Sequence, residues 1–442
     1  MKISRQEDLG VKKRLGIGDR RRGRWGDALV KRPRVLVAVL VAVLVAVLAG
    51  ALFCAATPRA RAEEPVAEAP EQKIMIGYLR RAENRTSVSR LQLPAENDGE
   101  AGAQIGVDDD SVTGEFMGQS FSLVAKRLKP GEEAATAVAE LAGQGIKYIV
   151  ADLPADALLK AADSPAAAET LIFNIGAPDD ILREQSCRGN VVHVAPARSM
   201  LADALAQYLI WKQWRKWFLV VGSHPEDRLW AEALKRSATR FGGKIVEERV
   251  YEDRGGARRS DSGVTLIQKE IPAFTQNAPA HDVLVAADES GVFADYLPYR
   301  TWDPRPVAGS AGLVPTAWDA SNEQWGATQL QQRFERKFFR PMTALDMNGW
   351  TAARMIGEAA AHGAADDAAV LRAFLLSKDF ALAAFKGQKL TLRDWNLQTR
   401  QPILLSDGRN VVSLSPQDGF MHQFSELDTL GFDRPESKCH LK

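Results

Sequence analysis

Beyond residue 72 the chain alternates between short, nearly continuous apolar runs and longer amphipathic stretches. The runs KIMIGYL (73–79), FSLVAKRL (121–128), IKYIVADL (146–153), TLIFNIGA (170–177), NVVHVAP (190–196), KWFLVVGS (216–223), KIVEERVY (244–251), HDVLVAAD (281–288) and RPVAGSAGL (305–313) read as strands. Apolar residues at consecutive positions suit a strand covered on both faces. Residues 132–145, 155–163, 197–214 and 227–243 read as intervening helices, and Gly242-Gly243 supplies a helix stop. Strand–helix alternation predicts parallel sheet with helices on both faces. Nine strands exceed what one doubly wound sheet of five or six uses, and further helices follow at 323–340 and 347–363. The economical arrangement is α/β with two doubly wound lobes. Ligands of such sheets bind outside the carboxyl ends of the strands, so two facing lobes would surround one cleft.

Charge changes the picture of the N-terminus. The formal net charge of the 442 residues is +1, but residues 1–62 hold 14 basic and 4 acidic side chains, leaving 43 basic and 52 acidic in the remainder. The acidic body has no cationic excess for phosphate-backbone binding, which excludes a nucleic-acid partner. In the leader, the basic stretch Arg20 to Arg34 runs into 24 uncharged residues, Val35–Pro58, and then Ala60-Arg61-Ala62. That order is a secretory signal with cleavage before Glu63. An uncleaved anchor is the alternative, because about 20 apolar residues span a bilayer. Either way the body is expected in the periplasm. Residues 63–72 (EEPVAEAPEQ) read as a flexible linker.

Cys54 lies within the apolar segment and would leave with the leader, and Phe53 before it spoils a lipoprotein-type site. Cys187 and Cys439 remain, and in an oxidising compartment two leftover thiols most simply pair. Their bridge would close a loop of roughly 250 residues, worth a few kcal/mol on the chain-entropy model.

Over about residues 73–425 the sequence resembles the type I substrate-binding proteins of ABC transporters, branched-chain amino-acid-receptor class. The resemblance rests on the order of KIMIGYL, KYIVADLPADALL, FNIGAPDD, VAPARSMLADALAQYL, FLVVGSHPEDRLWAEALKRSATRFGGKIVEERVY and FERKFFRPMTALDMNGWTAARMIGEA. It implies a multi-strand hinge, with residues 73–197 in lobe 1, 198–318 in lobe 2, 319–390 returning to lobe 1, and 391–442 returning to lobe 2 and forming the tail. YLPYRTW, RPVAGSAGLVPTAW, EQWGATQLQ and GFDRPESKC look like the subfamily found with quinoprotein alcohol-dehydrogenase systems. This implies pyrroloquinoline quinone (PQQ), or a related planar polyanion, as bound ligand, with no cofactor required. An amino acid or other small metabolite is the alternative ligand, and a sensor or scaffold for a quinoprotein dehydrogenase the alternative role. The expected partners of this monomer are a small-molecule ligand and an ABC permease or a periplasmic quinoprotein dehydrogenase. Departures from the amino-acid receptors stand at Asp152-Leu153-Pro154-Ala155-Asp156, where those have a Ser/Thr-rich loop, and at Trp230-Ala231-Glu232, where they usually have Tyr-Gly-Glu.

A planar tricarboxylate needs aromatic faces and guanidinium or backbone N–H donors. Nine tryptophans follow the leader. Trp230 matches a ligand-facing aromatic of the family, Trp318 follows the last second-lobe strand, and Trp325 and Trp350 begin first-lobe helices; these four are candidate stacking residues. Trp211, Trp214 and Trp217 read as packing. Arg80 and Arg81 follow the first strand and Arg198 starts a crossing helix, which places all three at carboxyl ends of strands. The amides of Ala155, Asp156 and Ala177 could hold a carboxylate at helix N-termini, although the Asp156 side chain opposes an anion. If the cleft itself is acidic, the polyanion reading fails on electrostatics.

Enzyme signatures are weak. Ala308-Gly309-Ser310-Ala311-Gly312 lacks the first glycine of a nucleophile elbow, no Gly-rich phosphate loop ends in Lys-Ser/Thr, and the six histidines lack metal-ligand spacing. Asp108-Asp109-Asp110 lacks the alternation of a calcium loop and reads as a solvated turn or helix start.

Overall fold

The computed structural model describes residues 71–81, 94–129, 131–253 and 266–441, which belong to the compact unit Ala69–Lys442. The signal-or-anchor leader, Cys54 and the linker up to residue 70 lie outside the described residues. Among the described residues no helix is long and apolar enough to cross a membrane, and no group of three or more His, Cys, Asp or Glu is placed to hold a metal ion.

All nine anticipated strands form, and they divide five to four. In lobe 1, β1 (Gln72–Arg80), β2 (Gln119–Arg127), β3 (Tyr148–Asp152), β4 (Leu171–Asn174) and β5 (Val191–His193) make a parallel sheet in the order β2-β1-β3-β4-β5. In lobe 2, β6 (Lys216–Gly222), β7 (Lys244–Tyr251), β8 (Val283–Ala287) and β9 (Val307–Gly309) make a second parallel sheet, β7-β6-β8-β9. The continuous apolar runs are explained by cover on both faces. Ile74, Ile76, Tyr78, Tyr148 and Val150 join one core cluster, while Leu79, Ile149 and Ala151 join the cluster behind the sheet. Trp217, Leu219 and Val221 of β6 face one way into a core with Val283 and Val285, and Phe218 and Val220 face the other with Leu284 and Ala286.

The helix Pro225–Phe241 follows its terminal signals. Pro225 occupies the first turn, the His224 amide donates to Asp227 Oδ2 at 3.1 Å, and Gly242 ends the helix at φ 80°. The helices Glu100–Gly114 and Ala344–Ala361 pack closely enough to need glycines. A Cβ on Gly102 would lie 1.8 Å from the Asp346 carbonyl oxygen, and one on Gly357 would lie 1.9 Å from Asp110 Oδ1. Asp108, Asp109 and Asp110 are therefore not a solvated turn or helix start: they lie inside this helix, paired with Lys337, Arg333 and Arg354. Asp109 Oδ2 also accepts from Trp350 Nε1 at 2.9 Å.

Short antiparallel strands complete each lobe. β10 (Val314–Thr316), β14 (Ile403–Ser406) and β15 (Val411–Ser415) form one three-stranded sheet, and β11 (Leu382–Ala383), β12 (Lys389–Leu392) and β13 (Thr399–Arg400) form another. Leu382, Leu390 and Leu392 belong to the lobe 1 core, whereas Leu405 belongs to lobe 2. The last crossing thus comes after Arg400, later than the expected 390. The chain crosses three times: after β5, after β10, and between β13 and β14. The structure joins Cys187 to Cys439, with 5.6 Å between their Cα atoms.

Candidate functional site

The order of each sheet creates a crevice between strands whose connections leave in opposite directions: β1 and β3 in lobe 1, β6 and β8 in lobe 2. The residues at the carboxyl ends of these strands define the candidate site.

In lobe 1, Arg80 ends β1 and turns inward. Its Nη1 donates to the carbonyls of Glu96 (2.9 Å) and Asp98 (3.1 Å), and its Nε lies 3.2 Å from Asp152 Oδ2 at the end of β3. The Arg81 amide donates to the Asp152 carbonyl and its Nη2 to that of Glu132. Both arginines named from sequence therefore organise lobe 1 rather than stand open to a ligand. After β4 the loop is pinned by Asn174, which accepts from the Ala177 amide and donates to the Ala177 carbonyl, each at 2.9 Å. The Ala177 amide is thus already used, contrary to its expected role as an anion donor. Ala155 does begin a helix, Ala155–Ala162, whose N-cap is Pro154 and which has no side-chain cap. Its first-turn amides face outward from the end of β3, as the first four of any helix lack intrahelical acceptors.

Between the lobes stands Arg198, the first residue of the helix Arg198–Trp211. Its amide donates to the Pro178 carbonyl at 2.8 Å. Its guanidinium meets Glu289 at 2.6 and 2.7 Å, after β8 of lobe 2, and Asp179 at 2.8 Å, after β4 of lobe 1. Burial by itself would lower the guanidinium's pKa, but pairing with these two carboxylates outweighs it and holds the group above its ordinary value. Alongside, Asp180 accepts from the Ser199 amide and hydroxyl, which caps the same helix. Arg183 is fully enclosed and donates to Gln398 Oε1 (2.8 Å) and to the carbonyls of Ala177, Asp179 and Ala195. Burial pushes its guanidinium down to about 10.

In lobe 2, Asp288 accepts from the amides of Val292, Phe293 and Ala294 at 2.6–2.8 Å, shaping the loop that presents Glu289. Burial raises its carboxyl above the usual range, and those three amides pull it back. Asp227 accepts from the Ser290 amide and hydroxyl, tying this loop to the helix after β6. His224 Nε2 lies 2.9 Å from Asp253 Oδ2, and the Asp253 amide donates to Ser223 Oγ.

The tryptophans do not converge on this cleft. Trp230 is 6% exposed within the lobe 2 core; Trp318 (2%) and Trp350 (3%) lie in the lobe 1 core, with Trp318 Nε1 donating to Gln331. Their large apolar rings are consumed by packing. Trp325 is exposed, and its ring covers Gly387. Sequence reasoning missed Asp179, Asp227, Asp288, Glu289 and Ser290. Each sits within a few residues of a strand's carboxyl end or in the first turn of the next helix, and that position was the available signal.

Among the described residues, carboxylates at the strand ends (Asp152, Asp156, Asp179, Asp227, Asp253, Asp288 and Glu289) outnumber the arginines, and Arg80 and Arg198 are already paired. The strand ends are thus acidic by count, with Asp227 and Asp288 buried on backbone amides and Asp152, Asp179 and Glu289 paired with the arginines.

Known proteins extend these observations. No curated protein matches the chain in sequence. Among solved structures, a branched-chain amino acid ABC transporter periplasmic ligand-binding protein from Burkholderia xenovorans shares 18% identity over 77% of this chain and 95% of its own, with a TM-score of 0.60. The closed leucine-, isoleucine-, valine-, threonine- and alanine-binding protein from Brucella ovis shares 12% over 84% of this chain and 99% of its own (TM-score 0.61). A solute binding protein from R. palustris in complex with benzoate shares 16% over 84% of this chain and 100% of its own (TM-score 0.56). At these identities the likeness is one of fold. The periplasmic binding protein family model matches residues 94–403, both lobes and all three crossings. The chain belongs to the periplasmic binding protein family.

Proposed function

We propose that this protein is the periplasmic solute receptor of an ABC system and that its ligand is a small molecule carrying a cationic group, such as an amino acid. The observation that carries the ligand class is the excess of carboxylates over arginines at the strand ends of the two crevices, together with the commitment of those arginines to carboxylates and carbonyls. An ammonium gains from such a field, whereas a second or third ligand carboxylate would meet it with no open guanidinium. One carboxylate can be held by the first-turn amides at Ala155 and Asp156, so a zwitterion fits where a tricarboxylate does not. PQQ, implied by the subfamily resemblance, and delivery to a quinoprotein dehydrogenase are disfavoured on this ground.

The receptor works by closure. A ligand that touches the strand ends of both lobes stabilises the closed form, and a permease reads that form; a ligand touching one lobe cannot shift the equilibrium. Calorimetric titration with amino acids, PQQ and benzoate decides the ligand class. Saturable heat with an amino acid is the expected outcome, and saturation with PQQ alone would refute the proposal.

A further inference from the structure

Away from the cleft, a groove of about 500 Å³ opens at the opposite end of the lobe 1 sheet, where β4 and β5 begin. One wall is formed by Asp163, Arg188 and Asn190, the other by Ala368, Ala369 and Arg372 of the helix Ala368–Leu375. The volume suits a small organic molecule.

The charges on these walls are unequal. Arg188 is spent: it donates to both oxygens of Asp163, at 2.5 and 2.9 Å, and to the carbonyls of Ser186 and Cys187. Asp163 is neutralised by the same contact. Asp367 uses its carboxylate to accept from the Val370 amide at 2.8 Å. The Arg372 side chain has no hydrogen-bond or ion-pair partner among the described residues, and its Nε is buried. Ser164 Oγ, next to Asp163, and Tyr148 Oη, on the residue paired with Leu171, are also buried without a partner, but neither residue lines the groove. A buried donor left unpaired costs about 1–3 kcal/mol, more when charged. The amides of Ala368 and Ala369 belong to the first helical turn and have no intrahelical acceptor, so they add donors on the same wall as Arg372.

We infer that this groove is a second binding site, separate from the interlobe cleft, for a small organic anion whose carboxylate or phosphate is held by Arg372 and the first-turn amides of Ala368 and Ala369. The groove adjoins Cys187 through Arg188, so an occupant would sit beside the bridge that anchors the tail.

The test is calorimetric titration of the purified protein with succinate and, separately, inorganic phosphate, repeated on Arg372→Gln, Ala369→Glu and the cleft variant Glu289→Gln, with circular dichroism as the control for folding. Saturable binding of at least one anion is expected. It should weaken by roughly tenfold or more in Arg372→Gln, the value of one lost charge-assisted hydrogen bond of about 1.4 kcal/mol or more. Ala369→Glu removes no native contact, places a carboxylate at the groove, and should weaken binding likewise, while Glu289→Gln leaves it intact. Absence of saturable binding by both anions overturns the inference. So does binding that survives both groove variants, or that is lost in Glu289→Gln.

Discussion

Two residues concentrate the physics of the hinge. Arg198 is held by one carboxylate from each lobe, and removing it leaves Asp179 and Glu289 facing each other without a cation. Arg198→Gln should therefore lower stability by about 2 kcal/mol, read from the midpoint of urea unfolding. An unchanged midpoint would show that the triad contributes nothing net. Lys386 is a different case. It is 1% exposed and donates to Gln401 Oε1 at 2.6 Å, and burial pushes its ammonium down to about 7. A lysine whose folded pKa lies below its unfolded one binds fewer protons when folded, so stability rises with pH between about 7 and the ordinary lysine value. The penalty is fully present below about 7. Lys386→Met should stabilise the protein most below pH 7 and progressively less toward pH 10, as measured by unfolding midpoints across that range. Neither role is legible in sequence. Its place at a helix start marks Arg198 as a ligand contact, but its partners lie 19 and 91 residues away.

At the scale of elements, the nine parallel strands are readable because each is apolar on consecutive positions, a direct consequence of helices covering both sheet faces. The helix Glu100–Gly114 is not. Its sequence, EAGAQIGVDDDSVTG, carries glycines and an acidic run, which propensity alone would place in a loop. It is helical because Gly102 and Gly106 let it lie against the helix Ala344–Ala361, and because Lys337, Arg333 and Arg354 meet its three aspartates. The sign of a substitution tests this. In an exposed helix, glycine to alanine stabilises by roughly 0.5–1 kcal/mol. Gly102→Ala should instead destabilise by about 1–3 kcal/mol and lower Tm, because its Cβ would strike backbone. The short strands β10 to β15 are illegible for a related reason: two to five residues do not display a period, and their pairing partners are set by the lobe crossings.

For the whole molecule, the tail links parts that are distant along the chain. Glu436 lies 3.1 Å from Arg236 in lobe 2, Glu184 of lobe 1 accepts from the Lys438 amide at 2.7 Å, and Cys439 is bonded to Cys187. Reduction of the bridge, or Cys439→Ser, should cost about 2–4 kcal/mol by releasing a long loop in the unfolded chain. The same change frees a strap that touches both lobes, so small-angle scattering of the ligand-free protein should show a larger radius of gyration than the oxidised form. Equal radii would mean that the strap does not restrain opening. Cognate ligand should act in the opposite direction, adding roughly 2.7 kcal/mol at 100 times its dissociation constant in a thermal-shift screen.

Local order and the division into two α/β lobes are carried by nearest-neighbour chemistry: apolar runs, helix caps and glycine stops act over a few residues, and a linear reading recovers them. Charge does not behave in that way. The acidic total of the body is visible by counting, but whether an arginine faces solvent, a ligand or a carboxylate depends on groups brought together across the two lobes. Folding placed Asp179 and Glu289 on Arg198, enclosed Trp230, Trp318 and Trp350 in the cores, and turned Ala177 inward onto Asn174. The strand ends that form the cleft follow from chain order; the sign of the field inside it follows from packing, because electrostatic energy is set by distance in space and not by separation along the chain.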